Sequence, residues 1–176
     1  MAPTSYQGPM QVDEQQKRTY SQTAEGSLGG DQPGRSVAAI LADKGQDVFT
    51  IGPEATVLEA VSELNRRRIG VLVVVAGGGK PAGILSERDV VRHIEASGVE
   101  LFERTVKEVM TVDPVTCSPD DSVEHVMTEM TRSRFRHMPV MQNDRLCGLV
   151  SIGDIVNHRL VELEYENLKI KQAMVG

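Results

Sequence analysis

One stretch of this chain occurs twice. Val48–Val75, VFTIGPEATVLEAVSELNRRRIGVLVVV, aligns with Pro114–Met141, PVTCSPDDSVEHVMTEMTRSRFRHMPVM, at a constant spacing of 66 residues. Thr50 falls on Thr116, Pro53 on Pro119, Val57 on Val123, Leu64 on Met130 and Arg68 on Arg134. After a turn that differs by one residue the spacing becomes 65. Gly83 then falls on Gly148, Leu85 on Val150, Ser86 on Ser151, Asp89 on Asp154 and His93 on His158. A register this long with a single gap is not chance similarity, and each copy is one supersecondary unit that needs its neighbour to bury its apolar face.

Each copy has the same grammar. A short extended piece runs to Pro53 or Pro119, and Thr56 or Ser122 then stands before a helix. The helix carries Val57, Ala60, Val61 and Leu64 in one copy and Val123, Val126, Met127 and Met130 in the other, an apolar stripe at helical spacing. A strand follows, VLVVV over 71–75 and MPVM over 138–141; the first is apolar throughout, as in a strand covered on both faces. A turn, AGGGKPAG or QNDRLCG, leads to a second strand, GILS or GLVS, and a helix begins at once with ERDVVRHI or IGDIVNHRL. The pattern predicts an α/β (α+β) fold of two β-α-β-β-α units.

Around the copies, Ser36 is placed to cap a short helix with Val37, Ile40 and Leu41 on one face. VKEVMT over 106–111 reads as a helical linking turn. From Asp154 to about Met174 one long helix offers Ile155, Leu160, Leu163, Leu168 and Ile170 as a packing face. Residues 1–35 are rich in Gln, Ser, Thr, Gly and Pro, a composition that buries too little surface to offset chain entropy, so a disordered tail is expected there. The expected organisation is that tail, a first repeat over 36–103, and a second repeat with its long helix over 104–176.

What the repeats pack with is aliphatic. Aromatic residues make up only 3% of the chain and Trp is absent, so no platform of rings exists for stacking single-stranded bases. A net charge of −6 gives no general attraction to nucleic acid or to an anionic membrane, and any anion site must come from local basic residues. Cys117 and Cys147 form neither a CxxC pair nor a zinc-spaced cluster, stand opposite Ile51 and Ala82, and read as buried, inert thiols. No metal is required for the fold. No apolar run is long enough to cross a bilayer and the N-terminus lacks a secretory pattern, so a cytoplasmic, reduced protein is expected. GGGK at 77–80 reads as a hairpin loop and not a phosphate loop, because Pro81 follows the lysine. No nucleophile, base and orienting group stand together as catalysis requires.

The two endings GILSERDVV and GLVSIGDIV, with the phrase FRHMPVMQNDRLCGLVSIGDIV, resemble a tandem CBS-domain pair, or Bateman module, from about Val37 to His158. The resemblance implies two units packed sheet to sheet about a pseudo-two-fold axis, with clefts between them for adenosine-containing ligands. It implies an adenine nucleotide or dinucleotide as ligand (AMP, ADP, ATP or NAD(H), with S-adenosylmethionine as a relative), pairing of modules into homodimers, and no catalysis. The function expected is a regulatory, ligand-sensing module for energy or redox state that acts on an unidentified regulated protein. The alternatives are a structural dimerisation module or an accessory subunit of a separate enzyme or transporter.

Site residues follow from the same frame. Ser86-x-x-Asp89 and Ser151-x-x-Asp154 each lie where a strand turns into a helix, whose free N–H groups favour a polar or anionic ligand. The same spacing is a capping box, which one occurrence alone would favour. Two in register favour ribose binding, the role the resemblance gives to Ser86, Asp89, Ser151 and Asp154. It places phosphate contacts just before the first long strand of the copy, at Arg136 and His137, with Arg134 and Arg68 as neighbours. Arg66 and Arg67 read as a solvated helix end. Gly70 and Val71 stand opposite Arg136 and His137, so the two clefts differ in charge. Adenine walls by family position are Val48, Phe49, Ile69 and Gly70 for one cleft and Pro114, Val115 and Phe135, beside Arg136, for the other. His93 and His158 read as helix-surface or interface residues, and His125, on a helix beside Glu124, shows no partner pattern.

Overall fold

The computed structural model describes residues 36–77 and 80–175, so the expected tail and the tip of the GGGK turn lie outside the described residues. In chain order the elements are α1 (Val37–Lys44), β1 (Thr50–Ile51), α2 (Val57–Arg67), β2 (Val71–Val75), β3 (Pro81–Ser86), α3 (Glu87–Ser97), β4 (Thr111–Val112), α4 (Val123–Ser133), β5 (His137–Gln142), β6 (Arg145–Ser151) and α5 (Ile152–Val175). Thr56 and Ser122 cap α2 and α4 by accepting the backbone N–H of Glu59 and His125. The stripes read from spacing are the buried ones: Val57, Ala60 and Leu64 in α2, and Val123, Val126 and Met130 in α4. Both helices end on an arginine in the left-handed region, Arg68 at φ 56° and Arg134 at φ 58°.

In the first repeat β1 runs parallel to β2 and β2 antiparallel to β3. Val71, Leu72, Val73 and Val74 of β2 are all buried, as an unbroken apolar run requires. In the second repeat β5 and β6 pair antiparallel from His137↔Ser151 to Gln142↔Arg145. The counterpart of β1 shrinks to one parallel bridge, Cys117 to Val140, held by backbone bonds of Cys117 N–H to the Pro139 carbonyl and Met141 N–H to the Cys117 carbonyl.

Packing does not follow the repeat order along the chain. Val37, Ile40 and Leu41 of α1 lie in the core of the second repeat with Cys117, Val123, Val126, Met130, Met138, Val140, Val150 and Ile155. Val106 and Val109, at the start of the segment 104–176 expected as the second repeat, lie in the core of the first with Leu64, Leu72 and Leu85. The two exchanged leaders dock alike. Val37 and Ala38 donate backbone N–H groups to the carbonyls of Asp121 and Pro119; Val106 and Lys107 donate theirs to Ala55 and Pro53. Ser36, expected to cap α1 through its side chain, makes no such bond, because its backbone forms a bridge with Ser122. VKEVMT, expected as a helical linker, forms only a short 3₁₀ turn over Val106–Glu108, and Thr111–Val112 becomes β4, antiparallel to β3.

Two matching glycines make this exchange fit. A Cβ on Gly83 would stand 2.5 Å from Met110 Sδ and 2.7 Å from the Thr111 carbonyl oxygen. A Cβ on Gly148 would stand 2.8 Å from Leu41 Cδ2. Glycine is therefore the residue that lets the foreign leader touch the strand backbone.

α5 is continuous, as the pattern after Asp154 predicts, but its proposed packing face is not buried. Ile155 is fully covered, whereas Leu160, Leu163, Leu168 and Ile170 are exposed, because the helix runs on past the sheet that covers its first turn.

Candidate functional site

The two strand-to-helix turns are built alike. Ser86 Oγ accepts the Asp89 backbone N–H, and Asp89 Oδ2 accepts the Ser86 backbone N–H at 2.9 Å and its hydroxyl at 2.5 Å. At α5, Asp154 Oδ2 accepts the Ser151 backbone N–H at 2.8 Å and its hydroxyl at 2.8 Å. The first helical N–H is sent across to the preceding strand: Glu87 donates to the Gly70 carbonyl at 3.1 Å and Ile152 to the Arg136 carbonyl at 2.9 Å. Both carboxylates are thus capping-box acids, and the bonds that cap each helix also fix its carboxylate; Asp154 lines a cleft, whereas Asp89 lines neither of the two described below.

The two carboxylates then diverge. Asp89 is only 6% exposed, and its Oδ1 accepts the Thr111 hydroxyl at 3.4 Å, a group delivered by β4. Asp154 is more open, and Lys44 from the end of α1 places its ammonium 2.6 Å from Oδ2. Burial alone would push the Asp154 carboxyl up; the hydrogen bonds from Lys44 and Ser151 outweigh it and hold the group below its ordinary range. Lys44 and Asp154 line a cleft of about 290 Å³ between α1 and α5, with Ile40, His158 and Tyr165 among its walls.

A second cleft of about 310 Å³ is lined by Arg134, Phe135 and Arg136, with Met130, Thr131 and Ile152, and by Arg88 from α3 of the first repeat. The phosphate candidates Arg134 and Arg136 therefore meet here, while Asp154 lines the other cleft, on the same first turn of α5. His137 is half-buried. Burial lowers its pKa, and Asp154, Lys44, Arg136 and Glu87 act on it from both repeats. It faces Gly70, whose Cβ would stand 3.9 Å from the imidazole Cε1. Arg68 stays exposed outside both clefts.

Of the adenine candidates, only Phe135 lines one of these two clefts. Phe49 and Ile69 pack against the core of the first repeat, and Arg67 covers the Phe49 ring at 4.4 Å. Val48 and Pro114 are half-buried, and Val115 is exposed. Arg66 and Arg67 pair with Glu63, as a solvated helix end does. Cys117 is buried and its thiol is pushed up to about 12 by desolvation, whereas Cys147, expected to be buried, is half-buried at the strand edge. Sequence reasoning missed Lys44, Thr111 and Arg88. Only Arg88 left a trace, as the position where the first ending has arginine and the second has Gly153. Among the described residues no group of three or more His, Cys, Asp or Glu side chains is arranged to hold a metal ion, and no helix is long and apolar enough to cross a membrane.

The CBS domain profile matches residues 39–96 and 106–160. A mitochondrial CBS domain-containing protein of Arabidopsis thaliana is 38% identical over 105 residues, 57% of this chain and 51% of its own. The chain thus spans about half the length of that relative, and 25% of two further CBS domain-containing proteins of the same plant. A solved CBS-domain containing protein from Agrobacterium tumefaciens is 37% identical, with a TM-score of 0.71 over 76% of this chain and 99% of its own. A CBS domain pair solved with 5′-methylthioadenosine and S-adenosyl-L-methionine is 26% identical, with a TM-score of 0.64 over 75% of this chain and 99% of its own.

Proposed function

The chain belongs to the CBS-domain family, and on that premise we propose that it is a regulatory module that binds an adenine nucleotide or dinucleotide and performs no chemistry on it. The observation that carries this reading is the half-exposed carboxylate of Asp154, held in place by Ser151 at the mouth of a cleft. A carboxylate accepts hydrogen bonds only, so it suits the paired hydroxyls of a ribose. The bonds from Ser151 and Lys44 all fall on Oδ2, and Oδ1 is the oxygen we assign to the ribose. Asp89 is the matching acceptor in the first repeat, with Thr111 in the place a ribose hydroxyl would take. Arg136, Arg134 and His137 serve the phosphate in the second repeat, and Arg68 is the remaining cation of the first. The ligand-bound neighbour supports the adenosine class. We further assign a homodimer or larger assembly, an unidentified regulated protein as the output, and a cytoplasmic setting.

Calorimetry on the full chain tests the reading with AMP, ADP, ATP, NADH, S-adenosylmethionine and 5′-methylthioadenosine. Binding of micromolar order, about −8 kcal/mol, is expected for at least one, with the ligand recovered unchanged. Silence from all of them at millimolar concentration overturns it and leaves a structural module.

A further inference from the structure

Beyond its first turn α5 carries a regular exposed series. Val156, Leu160, Leu163, Ile170 and Met174 are exposed and follow one another at steps of four and three residues, with Asn167, also exposed, completing the series. That is a heptad seam over about 27 Å of helix. Leu160, Asn167 and Met174 hold its a positions, and Val156, Leu163 and Ile170 its d positions. The seam is turned away from the rest of the chain. Val161 and Tyr165 line the cleft with Ile40 and Lys44 of α1, and at about 100° per residue they lie on the side of α5 nearly opposite Leu160 and Leu163.

The charges beside the seam decide what covers it. Arg159 and Glu166 flank it at g positions, Glu164 and Lys171 at e positions. In two parallel helices in register, each g residue meets the e residue of the partner's next heptad. Arg159 then faces Glu164 of a second copy and Glu166 faces its Lys171, opposite signs both times, and symmetry doubles each pair. Within its own helix Arg159 pairs with Glu162, an exposed contact that holds it only weakly. Asn167, which donates one N–H to the Leu163 carbonyl at 3.1 Å, meets its own copy in the same layer, where each carboxamide offers the other a donor and an acceptor. An antiparallel pair overlapping along the whole seam would instead set Asn167 against Leu163, Glu164 against Glu164 and Glu166 against Glu166.

We infer that α5 pairs with α5 of a second copy as a parallel, in-register, two-stranded coiled coil over residues 156–174, with Asn167 as the polar layer that sets the register. The inference deepens the assembly assigned above and rests on it, adding the segment, the orientation and the register. A parallel pair also brings the two Ser151–Asp154 turns, one from each copy, to the same end of the coiled coil.

The test uses the full chain carrying Cys147→Ala, which removes the half-buried thiol and leaves only the buried Cys117. Asn167→Cys and, as a control, Tyr165→Cys are added separately; both positions are exposed, so both variants should melt as the parent does. After oxidation Asn167→Cys should run without reductant mainly as a disulfide-linked dimer and Tyr165→Cys mainly as a monomer, because only a parallel, in-register pair brings residue 167 within disulfide reach of its own copy. In sedimentation Glu166→Lys should weaken the dimer about threefold to tenfold, and adding Lys171→Glu should restore it. Equal cross-linking of the two cysteines in a chain that sediments as a dimer overturns the coiled coil and spares the assembly. Failure of Lys171→Glu to restore the dimer overturns the register. A monomeric parent with no cross-linked Asn167→Cys dimer overturns both the coiled coil and the assembly.

Discussion

The ammonium of Lys44 rests 2.6 Å from Oδ2 of Asp154, joining the last residue of the first helix to the first turn of the final one. Both groups are partly open to solvent, so the pair contributes no more than about 1 kcal/mol to stability. Its larger effect is on protonation. The Asp154 carboxyl is held below its ordinary 3.8, so its stabilisation is present above that value and is lost as pH falls through the lower, folded one. His137 has the opposite history: burial lowers it from 6.5, the folded chain resists its protonation, and stability should fall as pH drops below about 6.5. Chemical denaturation across pH should therefore show two separate losses. His137→Gln should remove the one near neutrality, and Lys44→Met should make the acid one shallower. A single loss near pH 4 in the parent would show that His137 titrates normally.

Replacing Asp154 or Asp89 with alanine should act twice. Loss of the capping bonds costs about 1 kcal/mol of stability at either helix. Loss of a ribose acceptor removes charge-assisted bonds of about 1.5–3 kcal/mol each, so affinity should fall roughly tenfold to a hundredfold or more. Melting without ligand and calorimetry with it separate the two effects. Early melting with unchanged affinity would leave capping as the whole role of the carboxylate.

Gly83→Ala and Gly148→Ala should each destabilise by about 1–3 kcal/mol, because the added methyl enters space held by Thr111 and Met110 or by Leu41. The Gly83 variant should lose more, since one of its neighbours is a backbone oxygen that cannot turn aside. Urea midpoints equal to the parent's would contradict the close approach.

Val91 and Ile94 of α3, with Val156 and Leu160 of α5, stand exposed, as do Leu163, Leu168 and Ile170 further along α5. Sedimentation at low micromolar concentration should give a species larger than 19.2 kDa. Leu160→Ser should shift it towards the monomer, and a parent that sediments only as a monomer would refute the assembly.

The repeat made most of this fold legible, because a strict register carries strand, turn and helix starts together. Ser86, Asp89, Ser151 and Asp154 were visible for the same reason. The exchange of the leaders was not legible, although Ser36-Val37-x-x-Ile40-Leu41 and Thr105-Val106-x-x-Val109-Met110 carry the same pattern. That spacing is 69, not 66, so it falls out of register with the rest. Lys44 left no local signal, since its partner is 110 residues away. The exposure of α5 was hidden too, because an apolar stripe states what a helix can cover and not whether anything is there.

The exchanged leaders set an order of events during synthesis. α1 is among the first described elements to leave the ribosome, yet the strand backbone that Leu41 touches, at Gly148, comes more than half the chain later. At about 5–20 residues per second, Val37, Ile40 and Leu41 wait for roughly five to twenty seconds without their sheet. The first repeat waits less, but it too stays open until Val106 and Met110 emerge. Neither half can close alone, so a chain cut between the repeats would yield two fragments that each need the other's leading segment to fold.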